Sequence, residues 1–240
     1  WINQRRNQIM ATSGSYSFNL DIGDIIEESY ERAGVELRSG YDYRTARRSL
    51  DLLMLEWQNR GLNLWTVQFA TITLTPGTGR YALPSKELDI IEAFIRTDSG
   101  NTSSQSDLMM QRISVSQYSH LTNKLTEARP LQFWIEKDPS QIAINLWPVP
   151  DTAETYTLCY YYMERVQDSG KPSSNNMDVP SRWLPCLVAG LAYQISVKRP
   201  EVSERAPLLK QVYDEQWEYC SDADREKAAL YVVPGGYQYL

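Results

Sequence analysis

The chain reads as an α+β protein, an α-helical bundle built from N- and C-terminal helices with an inserted antiparallel β-rich domain. Three observations predict this. Apolar residues recur at helical spacing over 20–65 and again over 178–228. Between them, over 66–166, the period falls to two, with turn residues separating the short runs. A polar stretch, QDSGKPSSNN, then returns the chain to helix and makes 167–177 a linker. At 240 residues, 42% hydrophobic and 22% charged, the chain is long and apolar enough for a packed core.

Taken in order, residues 1–19 are expected to be a flexible N-terminal arm. WINQRRNQI precedes Met10, which suggests an upstream extension, and the lead-in that follows is small and polar. The first helix opens on Asp21 as N-cap, with Asp24 as its third-position partner, and stops at Gly34. Ile22, Ile25, Ile26, Tyr30 and Ala33 form its apolar face.

The second helix, over 42–60, is the centre of the reading. Ser39 caps it, Gly61 ends it, and Ala46, Leu50, Leu53, Met54 and Trp57 line one face. Leu52 and Leu55 widen that face beyond one stripe, so the helix needs more than one partner, neighbouring copies included. Arg44, Arg47, Arg48, Asp51 and Glu56 are expected to be a salt-linked, solvated side.

In the β region, 66–75 and 80–83 flank PGTG and predict a hairpin, with a bulge near Ala70 because Val67 and Phe69 are out of phase with Ile72 and Leu74. Residues 89–97 predict a strand, 98–107 a mobile loop, 108–113 a returning strand and 114–121 a short helix. Residues 131–137 and 141–147 form a second hairpin, and 156–166 the last and most aromatic strand. Residues 20–65 and 178–228 thus make the helical domain and 66–166 the β domain. In the C-terminal half, Trp183, Leu187, Val188, Leu191 and Ile195 line one helix, whose Ala189, Gly190 and Ala192 let another approach closely. Leu209, Val212, Tyr213, Trp217 and Cys220 line the next. Leu50, Leu53, Met54, Trp57, Trp183, Leu187, Leu191 and Trp217 are the expected packing positions of the bundle and its subunit contacts.

The chemistry-bearing residues do not assemble into a catalytic, cofactor or metal site. His120 is the only histidine, and Ser116, Ser119 and Asn123 beside it are local neighbours rather than a triad. TPGTGR lacks phosphate-loop spacing. Cys159, Cys186 and Cys220 are three, far apart and without CxxC spacing, so they read as buried small hydrophobes. No run reaches membrane-spanning length, there is no signal-peptide-like apolar region, and use on the cytoplasmic side is expected. A net charge of -6 argues against a broad phosphate-gripping surface. Sixteen Tyr and seven Trp against four Phe favour half-wet interface positions. The alternative is a glycan hydrolase using a carboxylate pair, or a carbohydrate-binding module with Trp134, Trp147, Tyr160, Tyr161 and Tyr162 as a stacking platform.

Two pairs of segments carry a resemblance. ARRSLDLLMLEWQNRGLNLWTV followed by TITLTPGTGRYALP is similar to the N-terminal half of head-to-tail adaptors of short-tailed bacteriophages, called tail tubular protein A in some. VPSRWLPCLVAGLAYQISVKRP followed by LLKQVYDEQWEYCSDADREKA resembles their C-terminal helical half. The resemblance implies a structural virion protein in the neck, assembled in the host cytoplasm. It implies a homo-oligomeric ring, usually of twelve copies, between the portal protein and the distal tail or nozzle protein, with double-stranded DNA passing through. It also implies a C-terminal extension that holds the portal. Residues 229–240 suit that role, since Leu230, Tyr231, Val232, Val233, Tyr237, Tyr239 and Leu240 stand in a stretch with no charged side chain.

Overall fold

The computed structural model describes residues 18, 20–61, 64–138, 141–170 and 176–225. In chain order the elements are α1 (Ile22–Ala33), α2 (Gly40–Asn59), β1 (Val67–Thr73), β2 (Arg80–Ala82), β3 (Glu87–Thr97), β4 (Ser106–Met109), β5 (Gln111–Arg112), α3 (Val115–Ser119), β6 (Gln132–Lys137), β7 (Ile142–Trp147), β8 (Tyr156–Glu164), α4 (Leu184–Lys198) and α5 (Ala206–Ala223). Short 3-10 turns at Leu64–Thr66, Ser181–Trp183 and Pro200–Arg205 join some of them. The fold class is α+β. Contacts divide the chain into two compact units, the first holding residues up to Leu53 with Asp168–Cys220, the second Met54–Gln167 with residues from Ser221. The division falls inside α2.

In the first unit the caps match the sequence. Asp24 donates its N–H to Asp21 Oδ1 at 2.8 Å, and the Asp21 N–H reaches back to Asp24 Oδ2 at 3.3 Å. Gly34 ends α1 at φ +82°, and a Cβ there would fall 2.0 Å from Arg205 Nη1. That guanidinium donates to the Ala33 carbonyl at 3.2 Å, so the glycine makes room for the cation that satisfies the helix end. α1 packs along α4. α4 is apolar nearly all round and buried nearly all round, from Leu184 through Leu191 to Ile195. Gly190 lets Leu53 of α2 and Tyr213 of α5 close on it from two sides.

A polar cluster ties the ends of these helices. Asp42, buried at the start of α2, pairs with Arg199 and accepts from the Arg38 N–H at 3.3 Å, while Tyr30 Oη donates to its carbonyl at 3.1 Å. Burial pushes the Asp42 carboxyl up, but these hydrogen bonds and the Arg199 charge outweigh it and hold the group below its ordinary value.

The second unit contains two four-stranded sheets, in the orders β1-β8-β3-β4 and β2-β7-β6-β5. All neighbours run antiparallel except β5 and β6, which are parallel. Their inner faces share one core that includes Leu83, Ile90, Ile95, Phe133, Ile144, Leu158 and Tyr160.

Three local expectations are corrected here. PGTG does not close a hairpin, because β1 pairs with β8 and β2 with β7, so the turn carries the chain from one sheet to the other. Gly77 takes φ +75° within it, and the Tyr81 hydroxyl bonds both backbone groups of Thr75. No bulge interrupts β1, whose register with β8 is unbroken from Val67 to Thr73; the irregularities lie on β3, at Glu87/Asp89 and Ile90/Glu92. The span 98–107 is an organised turn leading into β4, with Gln105 N–H on the Asn101 carbonyl at 2.9 Å and Gly100 N–H on Gln105 Oε1 at 3.0 Å.

Candidate assembly surfaces

α2 shows how its two apolar faces are used. Ala46, Leu50, Leu53, Met54 and Trp57 are buried. Leu52 and Leu55, three residues apart on one side of the helix, are 58% and 54% exposed. Trp183, Leu187 and Leu191 are also buried, and Trp217 lies half-buried with its ring edge-on to Trp183, centroids 5.2 Å apart. Residues 229–240, with Leu230, Tyr231, Val232, Val233, Tyr237, Tyr239 and Leu240, lie outside the described residues.

The largest surprise is the outer face of the β1-β8-β3-β4 sheet. Phe69 stands opposite Tyr161, and Phe94 opposite both Cys159 and Met109. Phe69 packs on the Tyr161 ring at 5.1 Å and stacks on Phe94 at 6.3 Å, and the Arg96 guanidinium lies 5.6 Å from the Phe94 centroid. Phe69, Tyr161 and Met109 remain 47%, 43% and 59% exposed. Arg96 is locked beside this patch by a two-point pair with Asp107, both bonds 2.8 Å, and that guanidinium holds the Asp107 carboxyl below its ordinary value. The sequence signal for this face was the out-of-phase Val67 and Phe69. They are apolar because the outer face is apolar, not because β1 switches sides.

A third surface is the groove between α1 and α4, about 830 Å³ in volume. Phe18, Leu20, Leu184, Pro185 and Val188 form its apolar part, and Asp24, Glu27, Glu28 and Glu31 of α1 form its acidic side.

The residues weighed for other chemistry are engaged elsewhere. His120 Nδ1 lies 2.6 Å from the Ser116 carbonyl and Ser119 Oγ donates to the same carbonyl at 2.7 Å, so the Ser119 hydroxyl addresses the turn backbone rather than the imidazole. The five aromatics considered as a sugar platform do not share a surface. Trp134 stacks on Tyr118 at 5.2 Å, Trp147 Nε1 donates to the Asn123 carbonyl at 3.0 Å, Tyr160 and Tyr162 are in the core, and Tyr161 belongs to the other sheet's outer face. Asp51 and Arg47 do not form the expected salt-linked face: Asp51 accepts the Ser169 N–H at 2.9 Å and Arg47 Nε donates to Ser169 Oγ at 3.3 Å. Cys159, Cys186 and Cys220 are all buried, as the strand and helix patterns around them predict. Among the described residues no cluster could hold a metal ion.

One buried acid stands out. Glu87 accepts from Tyr160 Oη at 3.2 Å, while its second oxygen has no hydrogen-bond partner. Burial pushes its carboxyl up, against the opposing pull of the Tyr160 hydrogen bond and the Lys86 charge. It sits inside the sheet core, away from any described cleft, which makes it a structural feature of β3.

Exposed aromatic and leucine surface on a well-packed fold is the mark of a subunit built to be covered by other proteins. The class is that of a structural assembly protein. The family model of the SU10 adaptor protein matches residues 18–232, and the chain belongs to that family of phage head–tail adaptors. It is a structural component of the virion neck, whose work is to bind other virion components such as portal and tail. No curated protein matches the chain.

Proposed function

We propose that the protein assembles as a ring of twelve copies between the portal and the distal tail or nozzle, and that the genome passes through its centre. The family match over residues 18–232 carries this reading. Two features of the chain support it. Leu52 and Leu55, together with the Phe69–Tyr161–Met109 face, offer apolar area that a ring would bury between neighbours or against partners. The net charge of -6 suits a conduit that repels phosphate and does not retain DNA. Among the described residues no helix is long and apolar enough to cross a membrane. In this proposal the uncharged residues 229–240 dock on the portal, with Leu230, Tyr231, Val232, Val233, Tyr237, Tyr239 and Leu240 as anchors.

The test is native mass measurement of the purified protein, alone and mixed with portal. A dodecamer with portal, weakened by Tyr161→Lys or Leu55→Lys without loss of melting temperature, is expected. Deleting 229–240 should leave melting nearly unchanged and weaken portal binding. A protein that stays monomeric with portal present overturns the ring. Duplex DNA should bind the ring weakly and with a shallow salt dependence; tight binding that falls steeply with salt overturns the conduit reading.

A further inference from the structure

The β1-β8-β3-β4 sheet ends in two uncovered edges. Leu74 donates its N–H to the Tyr156 carbonyl at 2.9 Å and continues the β1–β8 register, so the even-numbered residues of β1 bond β8. Phe69, Thr71 and Thr73 therefore aim their backbone groups away from it. On the other edge Met110 donates to the Ala93 carbonyl at 2.9 Å, which leaves Asp107 and Met109 of β4 facing outward. Among the described residues no backbone hydrogen bond reaches these outward groups, and all five residues are exposed. Soluble sheets blunt such edges by keeping them short or by adding Lys, Pro or a bulge. The second sheet follows that rule, since its edges β2 and β5 have three and two residues. β1 does not. Its seven residues, VQFATIT, hold no charge, no Pro and no break in register.

We propose that β4 of one copy adds to β1 of the next, so that the sheet continues from subunit to subunit around the assembly. The inference rests on the ring and names a contact that builds it. Three observations select the second copy's β4 as the occupant. The first is direction. The four strands alternate, so the two edges run opposite ways, and copies set side by side in one orientation bring β4 and β1 together antiparallel. An edge joined to its own equivalent would instead close at two copies and could not propagate. The second is that both faces match. With Met109 opposite Phe69 of the next copy, the thioether meets the exposed ring and the outer apolar face runs on unbroken. Leu108, paired with the core residue Ile95, then falls opposite Ala70, which packs against the same core in its own subunit. The third is charge. Asp107 falls opposite Thr71, and its carboxylate is already neutralised by Arg96, so the contact adds no unpaired ion. The opposed pairs 109–69 and 107–71 each exchange two backbone hydrogen bonds.

The test is disulfide trapping in the full-length protein mixed with portal. Residues opposed in this way stand about 5.5 Å apart at Cα, within disulfide reach. Under mild oxidation a mixture of Phe69→Cys and Met109→Cys chains should give covalent dimers, and the chain carrying both changes a ladder of higher multimers, with peptide mapping showing the 69–109 link. Neither single variant alone should give them. Thr71→Pro removes an outward donor and no bond to β8, so melting of the single copy should be nearly unchanged. The protein concentration at half-assembly should rise about fivefold, on the scale of one hydrogen bond per contact. Rings that form without the 69–109 link, or that Thr71→Pro leaves as tight as wild type, overturn the edge pairing and leave the ring standing. Dimers from Phe69→Cys alone overturn it in favour of β1 meeting β1. A protein that stays monomeric with portal overturns both readings.

Discussion

Gly190→Ala provides the most direct check on how the first unit is packed. In an unencumbered helix this change stabilises by about 1 kcal/mol, because glycine has more backbone freedom to lose on folding. At Gly190 a Cβ would lie 2.9 Å from Leu53 Cδ2 and 2.9 and 3.1 Å from Tyr213 Cε2 and Cδ2. The Leu53 methyl ends a flexible side chain and can yield. The Tyr213 ring is buried and can turn away only by leaving its rotamer well, in a core without room for it. Overpacking of this kind costs about 1–3 kcal/mol, so the propensity gain is outweighed and a net loss of about 1 kcal/mol is expected. Gly190→Val adds bulk and a β-branch and should lose about 3 kcal/mol or more. Combining Gly190→Ala with Leu53→Val should cost less than the two changes summed, since the shorter side chain makes the space. Urea unfolding at concentrations where single copies dominate reads the wild type, Leu53→Val alone and these three variants. The sign decides the matter. A gain near 1 kcal/mol for Gly190→Ala would refute the close approach of Leu53 and Tyr213 to α4.

Other outcomes follow from the packing and electrostatics of the fold. Leu191→Ala, at a fully buried position of α4, should destabilise by about 3 kcal/mol in the same assay. Glu87→Gln keeps the side chain's shape and an acceptor for Tyr160 but removes the ionisable group, and should stabilise by about 1 kcal/mol at neutral pH. Because burial raises the folded-state pKa of Glu87, the wild-type penalty grows as pH climbs from the ordinary carboxylate range through that raised value; the variant's advantage should therefore vanish near pH 4. Asp107 and Glu136 behave in the opposite sense. Hydrogen bonds from Arg96 and Arg80 lower their folded-state values, so their contribution is complete above the ordinary carboxylate range and is lost as pH falls below about 4 through the lowered values. Asp107→Asn should flatten the acid limb of the stability profile, measured by melting temperature against pH.

The helices, their caps and the α+β class were legible in the sequence because the interactions that make them are local. Asp21 finds Asp24 three residues on, Gly34 stops α1 within its own turn, and the face from Ala46 to Trp57 repeats at helical spacing. The small residue at Gly190 even announced a close approach, though not that Leu53 and Tyr213 make it. Strand pairing was another matter. A strand's partners lie anywhere in the chain, and PGTG has the composition of a hairpin turn whether its arms pair with each other or, as here, with β8 and β7. The same holds for two of the three candidate surfaces. Phe69 and Tyr161 meet across 92 residues, and period-two reading assumed that only one face of β1 is apolar. Glu27, Glu31, Leu184 and Val188 became one groove only when α1 packed on α4. Residue types and local hydrogen bonds were therefore determined by the chain taken piece by piece. Which apolar residues stay uncovered was decided by the tertiary structure alone, since exposure is what remains after every long-range partner has been assigned.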